Sequence, residues 1–159
     1  MDLMDALTQA LKLEEDGRDF YNEMVEMTDD EEGKTMFQQL AADEVTHYQY
    51  IQRQVKDLKA GEGWSAIPEM DEVESLDAVS LVFPPDKDAV TDLPENPDEE
   101  DALLFALGVE DKSFKLYHNS AELAKDPDAE QLFRQLAKAE STHFRILMQR
   151  YESRFSWPR

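Results

Sequence analysis

Residues 5–51 of this 159-residue chain match residues 101–147 at a constant offset of 96, without a gap. Sixteen of the 47 aligned positions are identical, against about three expected from composition alone, which marks an internal duplication. Each copy must therefore fold into the same unit, and its apolar spacing says which. Leu3, Leu7, Ala10, Leu11, Phe20, Tyr21 and Met24 recur at helical intervals with acids and amides between them, predicting one long amphipathic helix from about Asp2 to Thr28. "MTDDEEGK" then offers Thr28, Asp29 and Asp30 as caps, followed by Glu31 and Glu32, the acid-rich start that a helix N-terminus favours. The second helix should run to about Lys59, where "AGEG" stops it. In the second copy "DEEDALLFALGVEDKSFKLYHNSAELAK" reads as a third helix, and Asp126 with Pro127 as the cap and first position of a fourth that continues to about Phe155. The expected architecture is all-α: a four-helix bundle of two antiparallel hairpins in a single domain, with hairpin one at 1–59, a crossover linker at 60–97 and hairpin two at 98–155.

The linker differs in character from both hairpins. It holds most of the prolines, acid-rich polar stretches, and the apolar islands "WSAI" and "VSLVF". A connection of that length without a helical period is unusual in a compact domain, so a spanning or covering role is expected. Extended, it could exceed the roughly 40 Å of a 28-residue helix.

The positions that agree between the copies carry the chemistry. Glu14 pairs with Glu110, Tyr21 with Tyr117, Phe37 with Phe133, and Glu44, Thr46 and His47 with Glu140, Thr142 and His143. A single E-x-x-H places two side chains about 60° apart on a helix, where both could grip one ion; many solvated helix faces have that spacing by chance. Two at equivalent places in two hairpins are much harder to obtain by accident. About 15 residues separate Glu14 from the turn near Asp29, and about 15 more lead to Glu44, so the hairpin returns Glu44 to the height of Glu14. Glu110, a turn near Asp126 and Glu140 repeat the arrangement. Four carboxylates at mid-bundle would have to protonate, pair or bind cations. Two glutamates plus two E-x-x-H pairs is the bundle arrangement that holds two iron or manganese ions.

Tyr21 follows Glu14 by seven residues, within about 20° of the same helix face, as Tyr117 follows Glu110. Each could donate its phenol hydrogen to a ligand carboxylate, or could simply be an aromatic core residue. His118 has Asn22 as its counterpart and is expected at the surface or rim.

Composition excludes other classes. A formal charge of -21 disfavours nucleic acid and anionic membrane as partners, since both would repel the chain. The absence of cysteine removes disulfides, thiol nucleophiles and cysteine-ligated iron or zinc. The acidic "MDLMDALTQA" start is unlike a signal peptide, and no apolar run reaches the 18 or so residues of a membrane span. A cytoplasmic location is the default expectation.

"LEEDGRDFY" with "ADEVTHY", and "VEDKSFKLY" with "AESTHF", resemble the two halves of the ferritin-like di-iron superfamily, and rubrerythrin-type proteins in particular. The resemblance covers both hairpins and implies a ferritin-like four-helix bundle with a long crossover between helices two and three. It also implies Glu14 and Glu110 as terminal carboxylates, Glu44 and Glu140 as bridging ones, and His47 and His143 as one nitrogen ligand per metal. Typical rubrerythrin adds a rubredoxin-like module with four cysteines, so this chain would take electrons from a separate donor. Rubrerythrin also has an extra glutamate three residues after the third-helix glutamate and lacks the second E-x-x-H histidine. Here Ser113 and His143 occupy those positions, and the set is closer to the symmetric one of bacterioferritin.

The function expected on these grounds is a non-haem di-iron oxidoreductase that reduces hydrogen peroxide or oxygen with electrons from an external donor. Iron is the expected metal, with manganese or zinc as substitutes that carboxylate and imidazole also suit. The alternatives are a ferroxidase or iron-handling protein, and a non-enzymatic metal-binding bundle. Only "SWPR" follows the fourth helix, so a storage shell is not expected; a homodimer is.

Overall fold

The computed structural model describes residues 2–67 and 93–155. Four helices account for nearly all of them: α1 Leu3–Met27, α2 Glu31–Lys59, α3 Glu99–Leu123 and α4 Pro127–Phe155. Among the described residues there is no strand, and the fold is the all-α four-helix bundle expected from the repeat.

The helix starts follow from local chemistry. Asp2, Asp30 and Asp98 each stand in extended backbone and accept from the amide three residues on, satisfying a donor that has no intrahelical partner. In α3 the bond is reciprocal, with the Asp101 carboxylate accepting from the Asp98 amide. Asp126 accepts from the Asp128 and Ala129 amides, and Pro127 occupies the first turn, where its missing N–H costs nothing. Thr28 closes α1 instead of opening α2, returning its hydroxyl and its amide to the Met24 carbonyl.

α1 packs on α2 and on α3, and α3 packs on α4. One end of the bundle is tied by Arg150 near the end of α4. Its guanidinium donates to Asp30 at the start of α2 (2.7 and 3.1 Å) and to Glu99 at the start of α3 (2.7 Å). Those bonds hold the Asp30 carboxyl far below the usual carboxylate range. Gly33 makes the approach possible, since a Cβ there would come within 2.5 Å of the guanidinium. The starts of α2 and α3 thus share one end of the bundle with the close of α4, so α2 and α3 run parallel. Lys59 and Glu99 accordingly lie at opposite ends. The described beginning of the crossover is pinned to α2, because the Gln54 amide donates to the Gly63 carbonyl and accepts from the Ser65 amide. The expected spanning or covering role concerns a stretch, 68–92, that lies outside the described residues.

The apolar core divides in two. One cluster gathers Leu7, Ala10, Ile51, Tyr117, Phe133 and Leu136, with Trp64 and Ile67 against it. The other gathers Leu103, Ala106, Leu147, Tyr21, Phe37 and Leu40. Position by position these are images of each other under the 96-residue repeat. The two hairpins are therefore related by a two-fold rotation perpendicular to the helices, and the level between the clusters is where that axis passes.

Candidate metal centre

Between the apolar clusters the bundle buries charge. Glu14 of α1, Glu44 and His47 of α2, Glu110 of α3, and Glu140 and His143 of α4 are all 4 % exposed or less. Their oxygens and nitrogens form two groups, Glu14–Glu44–His47–Glu140 and Glu44–Glu110–Glu140–His143, with ligand atoms within 4.8 Å of one another in each. Glu44 and Glu140 belong to both. All six residues singled out in the sequence thus meet in one place.

The imidazoles face each other across the axis, ring centroids 5.8 Å apart and 22° from parallel. His47 Nδ1 lies 3.2 Å from Glu14 Oε1 and 3.6 Å from Glu140 Oε1. His143 Nδ1 lies 3.1 Å from Glu110 Oε2, 3.3 Å from Glu44 Oε1 and 3.5 Å from Glu140 Oε2. Both histidines therefore turn the same nitrogen toward the carboxylates.

Electrostatics follows from burying so many like charges. Burial pushes the Glu14, Glu44 and Glu110 carboxyls up, and neighbouring carboxylates push them further. Burial works against Glu140 as well, but the two imidazoles outweigh it and hold this carboxyl well below its ordinary value. Burial also opposes charge on His47, yet Glu14 and Glu140 raise it to about 10. His143 is raised well above the ordinary range, burial again being overcome, here by Glu110 and Asp43. On Glu14, Glu44, Glu110 and both histidines these shifts favour the protonated form.

The tyrosines lie just outside the ligands, each near a glutamate of the opposite hairpin. Tyr117 of α3 donates to Glu14 Oε2 of α1 at 2.5 Å. Tyr21 is also buried and faces Glu110, whose charge after burial contributes most to raising it, but its hydroxyl makes no well-formed hydrogen bond like that of Tyr117 among the described residues. His118 stands apart from the centre, half-buried and stacked on Phe114.

Two residues of the site escaped the sequence reading. Asp43, beside Glu44, places its Oδ2 2.9 Å from His143 Nε2 and is itself held by Gln39. Gly17 packs against Glu44: a Cβ there would lie 2.9 Å from Glu44 Oε2. Gly17 also lines a groove of about 650 Å³ between α1 and α3, walled by Leu13, Phe20, Phe105 and Val109. Neither matches its repeat counterpart, Ala139 and Ser113 respectively, so a search for agreement between the copies passes over both.

A metal fits this donor set. Both oxygens of Glu140 and Oε1 of Glu44 are buried, and beyond the imidazole nitrogens 3.3–3.6 Å away no donor among the described residues reaches them, so a cation between carboxylate and imidazole would satisfy both. These oxygens belong to the two glutamates common to both groups. Carboxylate oxygen with one imidazole on each side is a donor set that suits iron, manganese or zinc.

No helix among the described residues is long and apolar enough to cross a membrane. No curated protein matches the chain. Among solved structures, a hypothetical protein from Pyrococcus furiosus has a similar fold, with a TM-score of 0.69 at 23% identity over 96% of this chain and 89% of that one. A family model described as ferritin-like domain matches residues 2–151, and with nearly the whole bundle inside that match the chain belongs to the ferritin-like domain family.

Proposed function

We propose that this protein is a non-haem di-iron oxidoreductase of rubrerythrin type that reduces hydrogen peroxide or oxygen. The observation that supports it is the sharing of Glu44 and Glu140 between two otherwise separate ligand groups, which suits a pair of ions better than one. Glu14 and His47 would complete the coordination of one ion, Glu110 and His143 that of the other. Two ferrous ions, when bound, supply the two electrons that reduction of peroxide to water requires. The protein's own part is to position and insulate. Tyr117 ties down the outer oxygen of Glu14 and leaves Oε1 turned toward His47. The apolar clusters above and below limit water at the site. The groove at Gly17 offers a molecule the size of peroxide an approach beside Glu44. Electrons would come from outside these 159 residues, which hold no cysteine with which to bind a second iron centre.

The test is anaerobic loading with Fe(II) followed by peroxide or oxygen. About two irons per chain should bind and oxidise rapidly, with an oxo-bridge absorption band in the near ultraviolet. Oxidation no faster than Fe(II) in buffer would sink the proposal.

Ser113 favours a second reading, iron handling. It stands where the rubrerythrin pattern has its extra glutamate, and the resulting ligand set is symmetric. A ferroxidase that builds a store would sediment as a large assembly, whereas the peroxide-reducing reading goes with a homodimer.

A further inference from the structure

The two halves of the centre differ in what stands behind their histidines. His143 is engaged at both ring nitrogens: Nδ1 faces Glu110, Glu44 and Glu140, and Nε2 lies 2.9 Å from Asp43 Oδ2. His47 is engaged at Nδ1 alone among the described residues. The repeat explains why, since the residue that would reach its Nε2 as Asp43 reaches that of His143 is Ala139. Asp43 is well placed to do this. Gln39 Nε2 donates to its Oδ1 at 2.9 Å, which leaves Oδ2 for the imidazole. A carboxylate behind a ligand histidine fixes the tautomer, with the far nitrogen carrying the proton and the near one free to bind, and it holds the ring plane and raises its basicity. Among the described residues that support exists on one side of the axis only.

We infer that Asp43 is a positioning residue that makes the two metal positions unequal, so that the one completed by Glu110 and His143 fills first and more tightly. The inference rests on the two-ion reading above. Its expected size is the 10- to 100-fold in affinity that loss of an outer carboxylate behind a ligand histidine typically costs. The unequal pair has a chemical consequence. At limiting metal the protein holds one ion in a defined position, while the other position, completed by Glu14 and His47, exchanges with solution.

The test is stepwise titration of the metal-free chain with Co(II), followed by its visible ligand-field bands and by calorimetry, with no turnover required. The wild type should fill in two steps separated by at least about tenfold, the first abolished by Glu110→Ala and the second by Glu14→Ala. Asp43→Ala should weaken the first step about 10- to 100-fold, alter its band positions and leave the second step in place. Ala139→Asp should strengthen the second step and bring the two together. Thermal unfolding of each metal-free variant shows whether it is folded, and the gain expected from Ala139→Asp is an outcome that mere disruption of the helix would not produce. Two steps of equal affinity in the wild type, or a first step indifferent to Asp43→Ala, overturns the inference while leaving the two-ion site standing. A chain that takes up fewer than two ions overturns the two-ion reading itself.

Discussion

The two hairpins agree at every ligand position and diverge one step away from them. Glu14, Glu44 and His47 face Glu110, Glu140 and His143 across the axis, but Gly17 has Ser113 and Asp43 has Ala139 as its counterpart. The difference teaches what the centre constrains. Glu44 and Glu140 each contribute to both groups of donors, so a change in one hairpin is felt by the ligands of the other. Neighbouring residues act on a single ligand: Asp43 on His143, Gly17 on Glu44. They could change in one copy without a matching change in the other.

The largest effect should come from breaking that sharing. Glu140→Ala removes an oxygen donor from both positions, and metal content by mass spectrometry should fall from about two ions per chain to nearly none. Glu14→Ala touches one group only and should leave about one. Equal losses in the two variants would show that the carboxylates are not divided into shared and private ones.

Gly17 and Ser113 sharpen the comparison next. The methyl group of Gly17→Ala would sit 2.9 Å from Glu44 Oε2, so the carboxylate must move. Metal affinity should drop about tenfold, in the range seen when support of a ligand is disturbed. Ser113→Ala, which only shortens a buried side chain, should change it little.

The metal-free protein should lose stability as pH rises. His47 is raised in the folded state to about 10, so its contribution is complete below its unfolded value near 6.5 and disappears as pH climbs through about 10. Glu14, Glu44 and Glu110 are also raised and act in the same direction, starting from their unfolded values nearer 4.5. Melting temperature followed from pH 6 to 10 should fall for the metal-free chain and hold nearly level once the site is loaded, where cations take over from protons.

The smallest effect separates the tyrosines. Tyr117→Phe deletes a buried hydrogen bond to Glu14 and should cost about 1 kcal/mol in urea unfolding of the metal-free protein. Tyr21→Phe removes a hydroxyl without such a well-formed bond and should cost less, or stabilise slightly.

Much of this was legible in the sequence because duplication repeats whatever matters to both halves. The amphipathic periods and the capping aspartates located four helices to within a residue or two, since Asp30 and Asp126 act through bonds to amides two or three residues away. Helical rise alone brought the four glutamates to one height. What stayed hidden was one-sided or long-range. The bond from Asp43 to His143 spans 100 residues and has no image in the other copy. The Tyr117 bond to Glu14 crosses between hairpins, a relation that spacing within one helix cannot express. The Arg150 clamp joins the ends of three helices whose partnership depends on the bundle being assembled.

The two-fold axis between the stacked rings of His47 and His143 has a consequence for ancestry. A chain half this long, containing one hairpin with one Glu and one E-x-x-H, would assemble the whole centre by pairing with a second copy of itself, each protomer lending half of the donors. In such a homodimer any mutation appears twice, and a carboxylate behind one histidine would have to stand behind both. Joining the copies in tandem requires a connection between opposite ends of the bundle, from Lys59 to Glu99. In exchange the partners cease to be identical by necessity, and an aspartate can stand behind His143 while alanine stands at the equivalent place near His47.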